Sequence, residues 1–502
     1  MLPFLLYLST MPHPRLSSSF LPQARTRPDA LMLQIGTGAF LRGFVGDILA
    51  ESNASSGTDL GIVAIASTRS RRVGWLQAQE GLYTVQVEGM RDGRPQRHFR
   101  INAVTQQAFA AGEDWAEVLA LAQRPEVMGV VSNTTEVGIR YEAEDLFGRA
   151  PATYPGKLTA LLYARFQALA GDPDKGWVIL PCELLENNGD QLRACVQQHV
   201  LAHGLPLSFR RWLDHACIFA NTLVDRIVTG TPAAEVLSAT EASLGYSDSL
   251  LTVTEPYALW AIEGDDRLRA RLPFAAHPSV VISPDIEPYR ERKLRILNGS
   301  HTFMVGLGYL CGLDTVRDCT EDPAMGRFLT RLMEEEIVPS LPANVPGGLV
   351  FARDVMARFQ NPFLAHRLLD ISLQYTSKMR MRNATTFGRY AETFGSAPLA
   401  MSLGFAAFLA FVRPEVHSDG KWLGQRGDTP YELRDDQASA WAKRWQSFSD
   451  ANPSPWVRAI LADTSLWGRD LSTLPGLVEQ VGADLSLILT QGARAALQAR
   501  LG

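Results

Sequence analysis

The chain has 502 residues, of which 46% are hydrophobic and 20% charged, a balance typical of a globular protein with two or more domains. The net charge of −5 gives no excess of basic residues, so binding to a nucleic-acid backbone is not indicated. No apolar run approaches the ~18–20 residues of a membrane span, and the five cysteines form no Cys-x-x-Cys pair. We therefore predict a cytoplasmic protein with reduced thiols, no disulfide framework, and neither nucleic acid nor membrane as a partner.

The N-terminus predicts no targeting signal. Residues 1–10 are apolar but lack a preceding basic segment, so they fit neither a signal peptide nor a membrane span. We predict residues 1–28 to be a disordered lead, or one that arises from an upstream start, with Met11 as the alternative first residue.

Strand-like and helical patterns alternate from residue 29 onwards, as a doubly wound parallel sheet requires. The predicted strands are 31–35, 61–67, 127–133 and 177–182, and the predicted helices are 41–51, 157–169 and 190–203. A hairpin of 83–88 and 98–102 interrupts this order. We predict an α/β, Rossmann-like domain over 29–283.

Long helical patterns dominate the second half of the chain. They cover 325–337, 363–379, 399–412, 438–448 and 474–501. We predict a mainly α-helical domain over 284–502.

A glycine turn, Gly36-Thr-Gly38, lies between the first predicted strand and helix. Such a turn lets the backbone approach a pyrophosphate at a helix N-terminus, although a plain tight turn is the alternative because the third glycine of the motif is replaced by Leu41. The second strand ends in Ala66-Ser-Thr-Arg69 and carries no carboxylate for a ribose 2′-hydroxyl. NADP is therefore not excluded beside NAD, unless Arg69 only faces solvent.

Lys293, Asn298 and His301 are spaced along the chain in a way that suits proton transfer. A lysine can act as general base where its environment favours the neutral amine, and the other two side chains can hold the oxygen on which it acts. On a helix turning ~100° per residue the three fall within an arc of about 140°. The alternative is a solvated basic turn, since three arginines, Arg290, Arg292 and Arg295, share the segment.

Five motifs together resemble one enzyme family. They are Gly36-Thr-Gly-Ala-Phe-Leu-Arg42, Asn133-Thr-Thr-Glu-Val-Gly138, Cys182-Glu-Leu184, Val224-Asp-Arg-Ile227 and Lys293-x4-Asn298-x2-His301. The chain resembles the polyol-specific long-chain dehydrogenases, the mannitol dehydrogenase family, from about Leu31 to Gln480. The resemblance implies metal-independent hydride transfer between NAD and a secondary alcohol or ketone. The nine histidines and five cysteines form no ligand-spaced cluster, consistent with the absence of a metal.

The resemblance also assigns roles to residues. Lys293 would be the general acid/base, Asn298 would stabilise charge on the substrate oxygen, and His301 would bind a neighbouring hydroxyl unless it is only a packed histidine. The residues it implies for the cofactor are Ile35, Gly36, Gly38, Phe40, Arg42, Asn133 and Thr134, while Glu136 would only cap a helix.

Four residues are predicted to bind the substrate. Asp225 either supports the substrate or pairs with Arg226 or another cation, and Asn188 is either a second donor or part of a turn. Lys378 and Arg382 are predicted to receive a carboxylate, with Arg380 between them as a third candidate cation and Arg358 and His366 helping to shape the helical wall; the alternating charges could instead form a solvated helix end.

Longer strings such as 132–139, 174–183, 222–230 and 286–293 resemble those of family members that interconvert D-tagaturonate and D-altronate in galacturonate breakdown. The resemblance therefore implies a small sugar-acid substrate and a monomer or small homo-oligomer. Fructuronate reduction and a mannitol- or arabinitol-type dehydrogenation are the alternatives within the family, and a noncatalytic nucleotide-binding protein is the alternative outside it.

Overall fold

The computed structural model describes residues 13–68, 70–91, 93–135, 137–449 and 451–501. Residues 1–10, Arg69 and Glu136, for which predictions were made above, lie outside the described residues. The chain divides into two compact units, 1–88 with 96–286 and 89–95 with 287–502. Within the described ranges no helix is both long and apolar enough to cross a membrane.

The strands and helices of the first unit follow one another in a mixed order. The strands are β1 (Ala30–Ile35), β2 (Leu60–Ala66), β3 (Tyr83–Arg91), β4 (Arg94–Asn102), β5 (Thr105–Ala110), β6 (Val127–Ser132), β7 (Val178–Pro181), β8 (Ile218–Phe219), β9 (Thr222–Asp225), β10 (Val228–Gly230), β11 (Thr252–Thr254), β12 (Leu259–Glu263) and β13 (Val280–Ser283). The helices are α1 (Ala39–Leu41), α2 (Asp47–Ser56), α3 (Arg71–Ala78), α4 (Trp115–Ala122), α5 (Tyr154–Ala168), α6 (Asn188–Ala202), α7 (Leu207–His215), α8 (Ala234–Leu244) and α9 (Asp266–Ala270). A π-helical turn, Arg42–Gly46, joins α1 to α2, and short 3₁₀ turns occur at Ser18–Phe20 and Pro173–Lys175.

The main sheet of this unit has six strands in the order β5-β2-β1-β6-β7-β8, and its neighbouring strands are parallel. Both faces are buried, because alternate residues of β1 enter different cores: Leu31 and Leu33 pack on α4 and α5, and Met32 packs on α2. The predicted Rossmann-like α/β fold is confirmed.

Two smaller sheets complete the first unit. One has the order β10-β11-β3-β4 and contains the predicted hairpin, whose tip, Gly89–Pro95, including the adjoining strand ends, groups with the second unit. The other has the order β13-β12-β9.

The prediction of a disordered lead is wrong for its described part. Leu16 is fully buried with Leu82 and Tyr246, and its amide donates to Ser247 O at 3.0 Å. Apolar residues of this segment therefore have a core to enter, which composition alone did not indicate.

The second unit is mainly helical, as predicted. Its helices are α10 (Glu287–Arg292), α11 (Ser300–Leu310), α12 (Val316–Glu321), α13 (Pro323–Thr330), α14 (Gly348–Phe359), α15 (Leu368–Ile371), α16 (Tyr375–Phe394), α17 (Leu399–Phe411), α18 (Ala438–Trp445), α19 (Ser454–Ala462), α20 (Thr464–Trp467), α21 (Leu477–Gln491) and α22 (Ala493–Leu501). π-helical segments at Lys293–Gly299 and Arg331–Ile337 and a 3₁₀ turn at Val338–Ser340 lie among them. A small antiparallel sheet, β14 (Val416–Ser418), β15 (Lys421–Arg426) and β16 (Thr429–Glu432), was not predicted. Helix α17 is apolar on all sides and packs against α11 and α21, so it forms the centre of this unit.

Two predicted helices are interrupted. The prediction of a helix over 363–379 is wrong for its first part. Asn361 Oδ1 accepts from Phe363 N, Arg367 forms an isolated β-bridge with Thr315, and Gln374 has a left-handed φ of 54°. The predicted helix 474–501 divides at Gly492, where φ is 87°.

Candidate active site

The glycine turn lies where the strand order of the main sheet reverses. The chain runs from β1 to β2 and β5 on one side and returns to β6 on the other side of β1, which leaves a crevice at the carboxyl ends of β1 and β6. Gly36 follows β1 and Asn133 follows β6, and a Cβ atom on Gly36 would lie 2.8 Å from the carbonyl oxygen of Asn133. A cavity of about 500 Å³ opens here.

Hydrogen bonds fix the shape of the turn. Gly36 has a φ of 120°, and its N–H donates to Ile65 O at 2.8 Å. The Nε2 of Gln34 donates to Gly36 O at 2.9 Å. A Cβ on Gly38 would meet nothing within 4 Å, so the packing of the protein itself does not require glycine there. The open space at Gly38 is what a phosphate group approaching the backbone needs.

Arg42 supports this turn from inside the protein. Its NH1 donates to Thr37 O at 2.7 Å and its Nε to Thr252 Oγ1 at 3.1 Å. The side chain is 4% exposed, and burial lowers its pKa to about 10. The guanidinium therefore holds the turn and does not face the cavity, which revises its predicted role as a cofactor-binding residue.

Two further predicted cofactor residues also point inward. Ile35 is buried in the core that faces α4 and α5, so only its main chain is available to a ligand. Phe40 stacks on Phe44 with 5.0 Å between ring centroids.

A buried carboxyl group organises the end of β6. Glu183 accepts hydrogen bonds from the amide and hydroxyl of Thr134, both at 2.9 Å, and from Ser132 Oγ at 3.0 Å. Burial raises the pKa of Glu183. Asn133 Nδ2 donates to Cys182 O at 2.7 Å. Thr134 lines the cavity, and Glu183, which appears above only within the Cys182-Glu-Leu184 motif and without a role, holds it in place.

Other polar side chains on the cavity wall follow β2 or lie at the start of α5, and none was given a role from the sequence, although Ser67 and Thr68 belong to the segment quoted above for the ribose site. They are Ser67, Thr68, Ser70, Arg72, Thr153 and Tyr154. The Oγ of Ser67 is buried and has no hydrogen-bond partner among the described residues. Burial holds the pKa of Tyr154 well above its usual value, so its hydroxyl stays protonated. A buried hydroxyl without a partner is typical of a site completed by a ligand.

Asn188 does not have the environment of a substrate donor. It is 1% exposed, its Nδ2 donates to the carbonyl oxygens of Pro181 and Glu183 at 3.0 and 3.1 Å, and its Oδ1 accepts from Thr222 N at 2.9 Å. These bonds use both ends of the amide to join the end of β7 to β9. The predicted role as a second donor is therefore replaced by a structural one.

Asp225 is the last residue of β9 and is buried. The neighbouring Arg226 pairs with Asp47 at 2.7 Å and also donates to Gly43 O at 2.8 Å. The ion pair of Arg226 thus joins β9 to the helix after the glycine turn.

In the second unit, Lys293, Asn298 and His301 lie on one continuous helical run. It passes from α10 through the π-helical segment Lys293–Gly299 into α11. π-helical turns within α-helices are frequent at functional sites, because the inserted residue redirects side chains. Lys293 and Asn298 are half-buried, and His301 is buried.

Arg295 anchors this π-helical segment. It is 6% exposed, its Nε and NH2 donate to the carboxylate of Glu291, and its NH1 donates to the carbonyl oxygens of Met381 and Arg382, each at 2.8 Å. The alternative of a solvated basic turn is wrong for this arginine.

His301 lies in a positively charged, mostly apolar environment. Its ring stacks on Phe359 at 4.2 Å and meets His366 edge-on at 5.3 Å. Burial holds its pKa well below the usual value, and His366, Arg382, Arg358 and Lys378 lower it further. His301 is therefore neutral, and its Nε2 has no hydrogen-bond partner among the described residues.

Three of these cations, Arg358, Lys378 and Arg382, are called the cationic cluster below. Lys378 and Arg382 are one turn apart on α16; Lys378 Nζ donates to Ile371 O at 2.8 Å, and Arg382 NH1 donates to Thr302 Oγ1 at 3.1 Å. Burial, with Arg382 and Arg434 adding to it, lowers the pKa of Lys378 to about 8. Burial lowers that of Arg382 to about 10. Such a group of partly desolvated cations gains most from an anion.

Two carboxyl groups, those of Asp354 and Asp370, interact electrostatically with residues in or beside the cationic cluster. Burial raises the pKa of Asp354, against the opposing charges of Arg292 and Arg358. Burial lowers the pKa of His366 while the carboxylate of Asp370 raises it, and Asp370 also pairs with Arg434 at 3.1 Å. No group of three or more residues able to hold a metal ion occurs in the ranges that the structure describes.

Family models match both halves of the chain. The Rossmann domain of mannitol dehydrogenase matches residues 30–275, and the mannitol dehydrogenase C-terminal domain matches residues 285–489. The chain belongs to the mannitol dehydrogenase family.

Curated relatives match over almost the full length of the chain. The altronate oxidoreductase of Yersinia enterocolitica is 38% identical over 95% of this chain and 97% of its own length. The altronate oxidoreductase of Bacillus subtilis is 38% identical over 93% of this chain and 94% of its own. The resemblance inferred from the motifs is confirmed.

Solved structures share the fold. A substrate-free D-sorbitol dehydrogenase matches with a TM-score of 0.73 at 22% identity, over 98% of this chain and 99% of its own. Pseudomonas fluorescens mannitol 2-dehydrogenase, in a ternary complex with NAD and D-mannitol, matches with a TM-score of 0.64 at 21% identity, over 97% of both chains.

Proposed function

We propose that this chain is an NAD-dependent oxidoreductase that interconverts D-tagaturonate and D-altronate. The 38% identity to altronate oxidoreductases, which extends over nearly the whole chain, supports this reaction. The observation that carries the substrate class is the cationic cluster next to His301, since a sugar acid differs from a neutral polyol in its carboxylate. Galacturonate breakdown is the context in which this step would serve.

The residues at the switch point of the main sheet fit a dinucleotide. The turn at Gly36 keeps its shape through its own hydrogen bonds, the space beside Gly38 is open, and Ser67 Oγ lacks a partner within the described residues. Gly36, Gly38 and Thr134 would hold the pyrophosphate and the neighbouring part of the cofactor, with Ser67 toward the adenosine end. When bound, NADH supplies the hydride that the ketone carbon receives.

Proton transfer is the task of Lys293. In reduction its ammonium group gives a proton to the ketone oxygen, so that the alcohol and a neutral lysine result; in oxidation the neutral lysine accepts the alcohol proton. The Asn298 amide donates to the same oxygen and stabilises the negative charge that develops there. The neutral imidazole of His301 offers Nε2 to a neighbouring hydroxyl, as donor or acceptor according to its tautomer.

The substrate carboxylate would bind the cationic cluster. Arg382 offers a planar donor group and Lys378 a point charge, and both are already partly desolvated, so neither loses much hydration when an anion arrives. Arg382 also donates to Thr302 Oγ1, which lies next to His301 on α11. The residue that would bind the carboxylate therefore contacts the helical run that carries Asn298 and His301.

A parallel assay tests the proposal. NADH consumption is followed with D-tagaturonate, D-fructuronate and D-fructose under identical conditions, with Lys293→Ala as the control for enzyme-dependent turnover. We expect D-tagaturonate to give the highest kcat/KM. Turnover of fructose alone would overturn the sugar-acid assignment, and a preference for fructuronate would make the chain a fructuronate reductase. Bound NADH without turnover of any of the three would favour a noncatalytic binding protein.

A further inference from the structure

The segment after β2 has an unusual composition for a site that binds only NAD. Strand β2 ends at Ala66, and the residues that follow are Ser-Thr-Arg-Ser-Arg-Arg, ending at Arg72. In dinucleotide-binding folds a carboxylate at this position receives the ribose 2′-hydroxyl, whereas an arginine nearby accommodates a 2′-phosphate. The segment contains three arginines and three hydroxyl groups and no acidic residue.

The described residues of this segment lie on the cofactor cavity. Ser67, Thr68, Ser70 and Arg72 line it together with Gly36. Ser67 Oγ is buried without a hydrogen-bond partner among the described residues. Ser70 Oγ accepts from Arg72 N at 3.3 Å, which fixes the start of α3. The Arg72 side chain is exposed and makes no ion pair within the part of the chain that the structure describes.

The charge of the cavity wall also favours an anion. Its one carboxylate among the described lining residues, Glu142, accepts from Arg140 Nε at 2.6 Å in a solvent-exposed ion pair, so its negative charge is partly offset at the wall itself. No carboxylate other than Glu142 lines the described wall, so no further negative charge there would repel a 2′-phosphate. An arginine with free guanidinium donors and serine or threonine hydroxyls are the groups that bind phosphate dianions best.

We infer that this pocket receives the 2′-phosphate of NADP(H), with Arg72 and the hydroxyls of Ser67 and Thr68 as its ligands, so that the chain uses NADP(H) as well as NAD(H). The inference rests on the proposed function, because it concerns the cofactor of the same site. A bare 2′-hydroxyl can bond to Ser67 or Thr68, which explains why NAD(H) is also accepted.

Direct binding tests this inference without any sugar substrate. The affinities of NAD⁺ and NADP⁺ are measured by titration calorimetry for the wild type, Arg72→Ala, Ser67→Asp and Arg71→Ala. Arg71 is the matched control, since it is the adjacent exposed arginine of α3 but lines a different cavity with Glu113 and Asp114. Thermal melting confirms that each variant is folded.

The expected pattern is specific. In the wild type the Kd for NADP⁺ lies within roughly tenfold of that for NAD⁺. Arg72→Ala weakens NADP⁺ by roughly tenfold to a hundredfold, the loss of a hydrogen bond to a charged group, and changes NAD⁺ by less than about threefold. Ser67→Asp removes NADP⁺ binding and retains NAD⁺, because the new carboxylate accepts from the 2′-hydroxyl but repels the phosphate. Arg71→Ala leaves both affinities unchanged.

Other results would overturn the inference. NADP⁺ binding more than about a hundredfold weaker than NAD⁺ would show that the pocket rejects the phosphate, while the proposed function would stand. Equal effects of Arg71→Ala and Arg72→Ala would indicate only the long-range attraction of a basic helix end. If neither dinucleotide binds, both the inference and the proposed function fail. If both bind but no sugar acid is reduced, the cofactor inference stands and the proposed reaction fails.

Discussion

Replacing Lys378 by methionine tests whether the cationic cluster binds the substrate carboxylate. At a pKa of about 8, roughly nine-tenths of the molecules carry a charged Lys378 at pH 7. The variant keeps the length of the side chain but removes a charge-assisted hydrogen bond, which contributes about 1.5–3 kcal/mol. We therefore expect kcat/KM for D-tagaturonate at pH 7 to fall roughly tenfold to a hundredfold. The loss of the bond to Ile371 O is small in comparison, because the half-buried position admits water.

The assay compares a charged with a neutral substrate. D-tagatose has a hydroxymethyl group where D-tagaturonate has its carboxylate, so kcat/KM for tagatose reports every effect of the substitution except lost carboxylate binding. We expect tagatose to change less than about twofold. Arg380→Met is the matched control, since Arg380 lies on α16 between the two cations but its NH1 faces Ser465 O at 3.4 Å. That variant should leave both substrates unaffected.

The pH dependence gives an independent readout. The folded-state pKa of Lys378 is lowered, so the charge is present below about pH 8 and is lost as the pH rises through it. The ratio of kcat/KM for tagaturonate to that for tagatose should therefore fall between about pH 7 and 9 in the wild type and be flat in Lys378→Met. An equal loss for both substrates, or an unchanged pH profile of the ratio, would refute carboxylate binding by Lys378.

Substitutions at three further positions separate proton transfer, cofactor binding and support of the site. Lys293→Ala should lower kcat by roughly 10²–10⁴-fold, which is the usual contribution of a general acid. The NADH affinity of this variant, measured by fluorescence titration, should stay nearly unchanged. Loss of NADH binding would contradict the role of Lys293 in proton transfer. Gly36→Ala should destabilise the protein by about 1–3 kcal/mol in urea unfolding and abolish NADH binding, because φ is 120° and the new Cβ meets Asn133 O at 2.8 Å; normal NADH affinity would show that the turn does not bind the cofactor. Glu183→Ala leaves three donors without an acceptor and should cost about 2–4 kcal/mol, while Glu183→Gln should recover most of that stability because its amide oxygen still accepts from Thr134; equal stability of the two variants would mean that these hydrogen bonds contribute little.

Periodicity predicted the central strands and most long helices, because each has an apolar pattern of sufficient length. Strand β5, Thr105–Ala110, was missed since its two glutamines interrupt the apolar run, although its backbone pairs with β2. The β14–β15 hairpin was also missed, even though Asp419-Gly420, with φ values of 51° and 76°, is a dipeptide typical of hairpin turns.

At the candidate site, prediction from sequence was limited by contacts between residues far apart in the chain. Glycine at position 36 and the spacing of Lys293, Asn298 and His301 are visible in the sequence because they depend on residues close together in the chain. The role of Arg42 depends on Thr252, and that of Asn188 on Thr222, so neither could be derived from local spacing. The π-helical segment at Lys293–Gly299 likewise depends on the bonds of Arg295 to the backbone of α16.

The most direct test of the proposed reaction is the preference of the wild-type enzyme between D-tagaturonate and D-tagatose, measured as the ratio of kcat/KM with NADH at pH 7. Two partly desolvated cations, each contributing about 1.5–3 kcal/mol to carboxylate binding, predict a ratio of at least roughly a hundredfold in favour of tagaturonate. Equal turnover of the two, or faster turnover of tagatose, would contradict the assignment of a sugar-acid substrate.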